Sequence, residues 1–343
     1  MPSPVTVEPI SFLLGCERSG STWLANILDA HEGVELMMEP FAPHARLFAE
    51  FPPRHVHIAQ SSAGLEEMVR RGLPATLPRK YSLLYRPGRP ARLRAIDAAL
   101  VREFRRVHRR LRLTPPLSSL QWELLNLNLS EIPTHLRARK QWPPVHYAVK
   151  ELRLNLKVPV LRGAFPEARY VVIVRNPAAQ LTSIRRWFEQ GRLGELAASL
   201  KTLADHTLRS PELERYRPWL GSSDRDDLLV AWWFINYETL IGDLERTGAK
   251  MLLIRHEEMS AEPEAGARAL FEFLGLPPSR SAAGFVSASS GAEPRTSSPV
   301  DTFRKSADHS RDSIRGADRS LADRLRRMAD GLPCRDDLRV YFP

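Results

Sequence analysis

The sequence predicts an α/β fold, a parallel sheet flanked by helices on both faces. Three observations point to it. Short apolar runs alternate with helix-period segments along most of the chain. The first run, Ile10–Gly15, has the largely apolar pattern of a strand covered on both sides. The first run enters a glycine-bounded turn that opens directly into a helix.

Ile10–Gly15 reads as that first buried strand and Ser21–Ala30 as the helix it feeds. Val34–Met38 is a short second strand ending at Glu39-Pro40. Residues 41–51 have a helical pattern, with Phe41, Leu47, Phe48 and Phe51 available to one face. Residues 52–145 are rich in Pro and Arg; Leu93–Leu111 carries helical periodicity, whereas Pro115-Pro116 and Pro143-Pro144 punctuate the stretch. This stretch is expected to be a helical insertion or cap without a sheet of its own. The strand–helix alternation resumes with His146–Glu151 (strand), Lys157–Phe165 (helix) and Arg169–Arg175 (strand). Pro177–Gln190 follows as a helix with proline in its first turn, where a missing N–H costs nothing. Further helices are expected over Leu193–Arg209 and Asp226–Thr247, then a strand at Lys250–Arg255 and a helix at Pro263–Leu274 closed by Gly275. Residues 279–299 are rich in Ser, Ala, Gly and Pro and read as a mobile loop. The whole chain, 1–343, is read as one domain.

Composition limits the function classes. Apolar content of 43% and charged content of 26% are those of a soluble globular protein, and no run reaches the length of a membrane span. The N-terminal residues carry no basic segment followed by an apolar one, so no secretion signal is expected. Only Cys16 and Cys334 are present, which allows no disulfide framework and no metal-type cysteine pattern; a cytoplasmic location and no metal are expected. The net charge of +10 raises the question of nucleic acid. The arginines, however, are spread over many segments with acids between them and read as solvated helix faces, so no nucleic-acid partner is expected.

The chemistry lies in two segments. Phe12-Leu-Leu-Gly15-Cys-Glu-Arg18-Ser19-Gly20-Ser21-Thr22-Trp23 has the Gly15-x-x-x-x-Gly20-x-Thr22 spacing of a nucleotide-binding P-loop. Ser21 stands where a P-loop NTPase has the lysine that reaches the β- and γ-phosphates. Such a loop retains a phosphate cradle, through backbone N–H groups at a helix N-terminus, but is poorly suited to γ-phosphoryl transfer. The second segment, Tyr170-Val-Val-Ile-Val-Arg175-Asn-Pro177 followed by Ser183, lies about 150 residues on, at another strand-to-helix junction.

Together these segments resemble the sulfotransferases that use 3′-phosphoadenosine 5′-phosphosulfate (PAPS), over Phe12–Phe41, His146–Trp187 and Lys250–Leu276. The resemblance implies a P-loop-like parallel sheet and transfer of a sulfuryl group to a hydroxyl or amine of a small-molecule or carbohydrate acceptor. Ser19, Gly20, Ser21 and Thr22 would hold the 5′-phosphate, and Arg18 the leaving phosphate and sulfonate oxygens. Arg175 and Ser183 would hold the 3′-phosphate, and Trp23 either packs in the core or stacks on adenine. Arg18 and the Met38-Glu39-Pro40-Phe41 segment are similar to the carbohydrate-type and bacterial branch, where the glutamate serves as general base. Glu39 is accordingly expected to be a base with its pKa raised by burial, or else to hold a cation; His44 and His31 are alternatives. Lys150 is expected either to face the sulfonate or to pair with an acid such as Glu151. Phe303-Arg304-Lys305-Ser306 is similar to a loop that covers the 3′-phosphate, so Arg304 and Lys305, within a C-terminal loop region 279–316, are secondary candidates. The rival readings are a P-loop kinase of a small metabolite and a non-catalytic nucleotide-binding protein of the same fold.

Overall fold

The apolar runs form one five-stranded sheet in a computed structural model of the protein, which describes residues 8–41, 48, 50–84, 144–189, 196, 199–200, 202, 211–290, 307–332 and 334–342. The strands are β1 (Ile10–Leu14), β2 (Val34–Met38), β3 (His146–Glu151), β4 (Arg169–Val174) and β5 (Lys250–Arg255). Their order is β2-β3-β1-β4-β5 and every pairing is parallel. Register sets the strand ends level. Leu14 of β1 lies beside Glu151 of β3, and Met38 of β2 beside Lys150.

Besides a 3₁₀ helix at Pro211–Tyr216, twelve α-helices with described bounds accompany the strands. They are α1 (Ser21–Ala30), α2 (Ala63–Leu84), α3 (Val158–Ala164), α4 (Pro177–Glu189), α5 (Arg217–Leu220), α6 (Arg225–Arg246), α7 (His256–Ala261), α8 (Pro263–Leu274), α9 (Arg280–Ser290), α10 (Ala307–Arg315), α11 (Arg319–Gly331) and α12 (Asp336–Arg339). Alternate residues of each central strand enter different cores, as period-2 geometry requires. Phe12, Leu14, Val149, Tyr170, Val172 and Val174 face the core built with α3 and α6. Leu13, Ala148, Val171 and Ile173 face the other, built with α1 and α8. Burying both faces explains why the central strands β1 and β4 read as largely apolar runs.

The helix ends have local causes. The Asp224 carboxylate accepts the Asp226 N–H (2.8 Å) and starts α6, while Gly275, at φ +67°, closes α8. No helix of the described residues is long and apolar enough to cross a membrane. Three expectations need correction or restriction. Residues 280–290 are helical rather than a loop, because α9 buries Ala282, Val286 and Ser289 against the body of the protein. Of residues 41–51, the described Phe41, Phe48, Glu50 and Phe51 lie in turns and a bend, held by a stack of Phe41 on Phe48 with ring centroids 3.8 Å apart. Leu93–Leu111 falls outside the described residues.

Candidate active site

The loop after β1 is shaped by two glycines. A side chain on Gly15 would bring its Cβ to 2.9 Å from the Ile173 carbonyl oxygen. Gly20 has φ +96°, and a Cβ there would overlap the imidazole of His256, the first residue after β5. Side chains from other elements then hold the loop's carbonyls inward. Asn155 Nδ2 donates to Gly15 O (2.9 Å), Gln180 Nε2 to Glu17 O (2.7 Å) and Arg175 Nη1 to Arg18 O (3.0 Å). On the other side of the loop, the N–H groups of Gly20, Ser21 and Thr22 donate to nothing among the described residues. The Ser19 hydroxyl is fully buried and likewise has no partner. Orphan donors at a helix N-terminus form an anion site.

Arg175, at the end of β4, is only 5% exposed. Its Nε has no hydrogen-bond partner, and among the described residues no carboxylate forms an ion pair with it. Burial lowers its pKa, opposed at longer range by Glu257 and Tyr237. A buried cation without an acid is costly unless an anion joins it.

Arg18 links the two segments. It takes a left-handed backbone conformation (φ +64°), its Nε donates to Ser183 Oγ at 3.0 Å, and its guanidinium lies 4.2 Å from the Trp187 ring centroid. Arg18, Arg175 and Ser183 therefore meet at one place, although Arg18 and Ser183 are 165 residues apart.

A second charged group lies across β1, at the ends of β2 and β3. The Lys150 ammonium bonds to Glu39 Oε1, and Arg153 Nη1 is 3.0 Å from both Glu39 Oε2 and Glu151 Oε1. Glu151 is fully buried and also accepts the Phe41 N–H (2.8 Å), the Leu152 N–H (2.8 Å) and the Arg153 N–H (3.2 Å). Glu39 sits at φ +46°, with its N–H donated to Lys150 O at 2.8 Å. Left-handed conformations at non-glycine residues store roughly 1–3 kcal/mol each, and here both fall at this edge of the sheet. Burial favours the neutral form of Glu39, but the charges of Lys150 and Arg153 outweigh it and bring its pKa down to about 2. The expected rise is thus reversed, and the cations that Glu39 holds are Lys150 and Arg153. Lys150 is paired with Glu39 and not with its neighbour Glu151.

Trp23 is fully buried among core residues and donates its indole N–H to Ser289 Oγ (3.0 Å), which ties α1 to α9; its ring also lies 6.4 Å from that of His256. His31 lies at the far end of α1, with Nε2 2.9 Å from Pro277 O and Nδ1 accepting the Gly33 N–H. It is a structural histidine. His44, Arg304 and Lys305 lie outside the described residues. Sequence reasoning missed Arg153, Asn155 and Gln180. Asn155 carries a signal, an amide between Leu154 and Leu156 in a buried segment, whereas Gln180 carries none.

Among the described residues, no group of three or more His, Cys, Asp or Glu could hold a metal ion. Among solved structures, the chain is similar to the "Sulfotransferase Domain from the Curacin Biosynthetic Pathway", at 16% identity over 98% of this chain and 97% of that one, with a TM-score of 0.44. It is also similar to the sulfotransferase domain of the Synechococcus PCC 7002 olefin synthase, at 17% identity, 97% and 98% coverage and a TM-score of 0.42. Sulfotransferase STF9 from Mycobacterium avium matches at 15% identity, 96% and 78% coverage and a TM-score of 0.41. No curated protein matches the sequence. The model of the Sulfotransferase family matches residues 9–280, and the chain belongs to that family.

Proposed function

We propose that the protein transfers a sulfuryl group from PAPS to a hydroxyl or amine of a small acceptor, such as a carbohydrate, a lipid or a secondary metabolite. The observation that carries this reading is the buried Arg175, which lacks an acid partner and touches the loop whose own donors are unsatisfied. Two adjacent anion-seeking groups fit a nucleotide with phosphates at both ends. The residues present fit such a donor: bare Gly15 and Gly20, the buried Ser19 hydroxyl, and the Arg18–Ser183–Arg175 cluster.

When bound, the donor supplies the sulfuryl group and leaves as adenosine 3′,5′-bisphosphate. Ser19, Gly20, Ser21 and Thr22 hold its 5′ end through hydroxyl and N–H donors. Arg175 and Ser183 hold the 3′-phosphate, with Arg304 and Lys305 as further cations for that group. Arg18, bonded to Ser183, offers a guanidinium fork to the leaving phosphate and sulfonate oxygens. Lys150 faces the sulfonate oxygens and steadies the charge that gathers there.

Glu39 takes the acceptor's proton. A carboxylate with a pKa of about 2 is a weak base before reaction. It suffices late, because an acceptor oxygen becomes strongly acidic once its bond to sulfur forms. Drawing Lys150 toward a bound anion also removes part of the charge that depresses Glu39, leaving burial to raise its basicity.

Thermal unfolding with added nucleotide tests the assignment. Adenosine 3′,5′-bisphosphate at about a hundred times its Kd should stabilise the protein by about 2.7 kcal/mol, well above the effect of ATP–Mg²⁺. Equal or stronger stabilisation by ATP–Mg²⁺ refutes the donor assignment and favours the kinase reading.

A further inference from the structure

The longest wholly described helix, α6, runs beneath the phosphate-binding loop, and Trp233, Asn236 and Tyr237 share one of its faces by i, i+3 and i+4 spacing. All three are buried, and each has a polar atom bonded to the loop or to a side chain that holds it. Trp233 donates its indole N–H to Gln180 Oε1 (3.1 Å), and the amide nitrogen of the same glutamine holds Glu17 O (2.7 Å). Asn236 accepts from Asn155 Nδ2 (3.0 Å), whose second hydrogen goes to Gly15 O (2.9 Å). Its own Nδ2 donates to Trp232 O (2.9 Å), which orients the amide so that Oδ1 meets Asn155. Tyr237 acts directly. Its hydroxyl accepts the Cys16 N–H (3.2 Å) and donates to Ile173 O (3.0 Å).

A helix that served only as core filler would not aim three successive polar groups at one loop, since buried polar atoms cost stability unless paired. Here the pairs hold loop residues 15, 16 and 17 in turn. The Tyr237 hydroxyl also bridges two elements, the loop after β1 and the strand that ends at Arg175 two residues beyond Ile173. It therefore sets the spacing between the two anion-seeking groups.

We infer that the Trp233–Asn236–Tyr237 face of α6 is the positioning element of the phosphate-binding loop, with Tyr237 fixing the separation of the loop from Arg175. The identity of the ligand rests on the donor assignment above; the positioning role does not. It follows that loss of the Tyr237 hydroxyl should loosen the loop and weaken a doubly phosphorylated ligand while leaving the fold intact.

The test uses the full chain, isothermal titration with adenosine 3′,5′-bisphosphate, and amide hydrogen exchange over residues 15–22 without ligand. Tyr237→Phe should weaken the bisphosphate about tenfold, which is 1.4 kcal/mol, and speed loop exchange by a similar factor. Trp233→Phe, which keeps an aromatic ring but removes the donor to Gln180, should shift both readouts the same way. Leu240→Ala is the stability control: Leu240 is fully buried in the same helix. This variant should lower the melting temperature and keep affinity within about twofold of wild type. Wild-type loop exchange in Tyr237→Phe, or equal loss of affinity in Leu240→Ala, overturns the inference. If the wild-type protein ignores the bisphosphate, the donor assignment fails, and loop exchange in Tyr237→Phe against Leu240→Ala still decides the positioning role.

Discussion

Replacing Glu39 with glutamine tests the charged group at β2 and β3 and the proton-accepting role together. Glu39 keeps 29% of its side chain exposed, so its ion pairs rather than seclusion set its charge. The fall of its pKa from an ordinary 4.5 to about 2 converts, at 1.36 kcal/mol per pH unit, to roughly 3 kcal/mol of stability. Partial exposure makes that an upper figure. The sign follows from the depressed pKa. The contribution is complete above about pH 4.5, where the unfolded carboxyl is ionised, and is lost as pH falls through about 2. Glutamine keeps the shape without the charge and leaves Lys150, 2% exposed, facing a neutral amide. Urea unfolding of both proteins from pH 7 to pH 2 should therefore show a gap of up to about 3 kcal/mol that closes toward pH 2. A gap that stays constant over that range refutes the ion-pair argument. In turnover assays Glu39→Gln should lose roughly 10²–10⁴ in kcat with bisphosphate affinity retained. A nearly normal kcat removes Glu39 as the proton acceptor.

The donor side gives two further expectations. Arg175→Ala should weaken bisphosphate binding by about 1.5–3 kcal/mol, the scale of a hydrogen bond to a charged group, and calorimetry showing less than a twofold change would contradict its placement. Gly20→Ala should cost about 1–3 kcal/mol in urea unfolding, because alanine must adopt φ +96° against the His256 ring; unchanged stability would show that the turn can relax.

The sheet was legible because short, mostly apolar segments alternate with helix-period segments along the chain. The expected bounds of Val34–Met38, His146–Glu151 and Lys250–Arg255 match the strands as observed. The loop and Arg175 were legible as motifs, and the structure brings them together through Arg18 and Ser183. Helix α9 was missed because its Ser, Ala and Gly content resembles a loop; its helicity comes from packing on α1, a tertiary effect that outweighs local propensity. The charge state of Glu39 was misread for a similar reason. Its environment depends on Arg153, which reaches it only after Glu151 gathers the backbone of both strand exits. Single polar residues such as Asn155, Gln180 and Tyr237 leave little trace in the sequence, because each is one amide or hydroxyl within an apolar stretch.

The strand order has a consequence for how such a molecule can diversify. Strand β1 is central, with β4 and β5 to one side and β3 and β2 to the other. Arg175 and Ser183, the residues proposed to hold the donor's 3′-phosphate, follow β4, whereas Glu39, Lys150 and Arg153 cluster at the ends of β2 and β3. Substitutions that reshape the β2–β3 exits can accumulate without retuning the other half. On the proposed assignment, one grip on the donor can thereby be coupled to unlike acceptors.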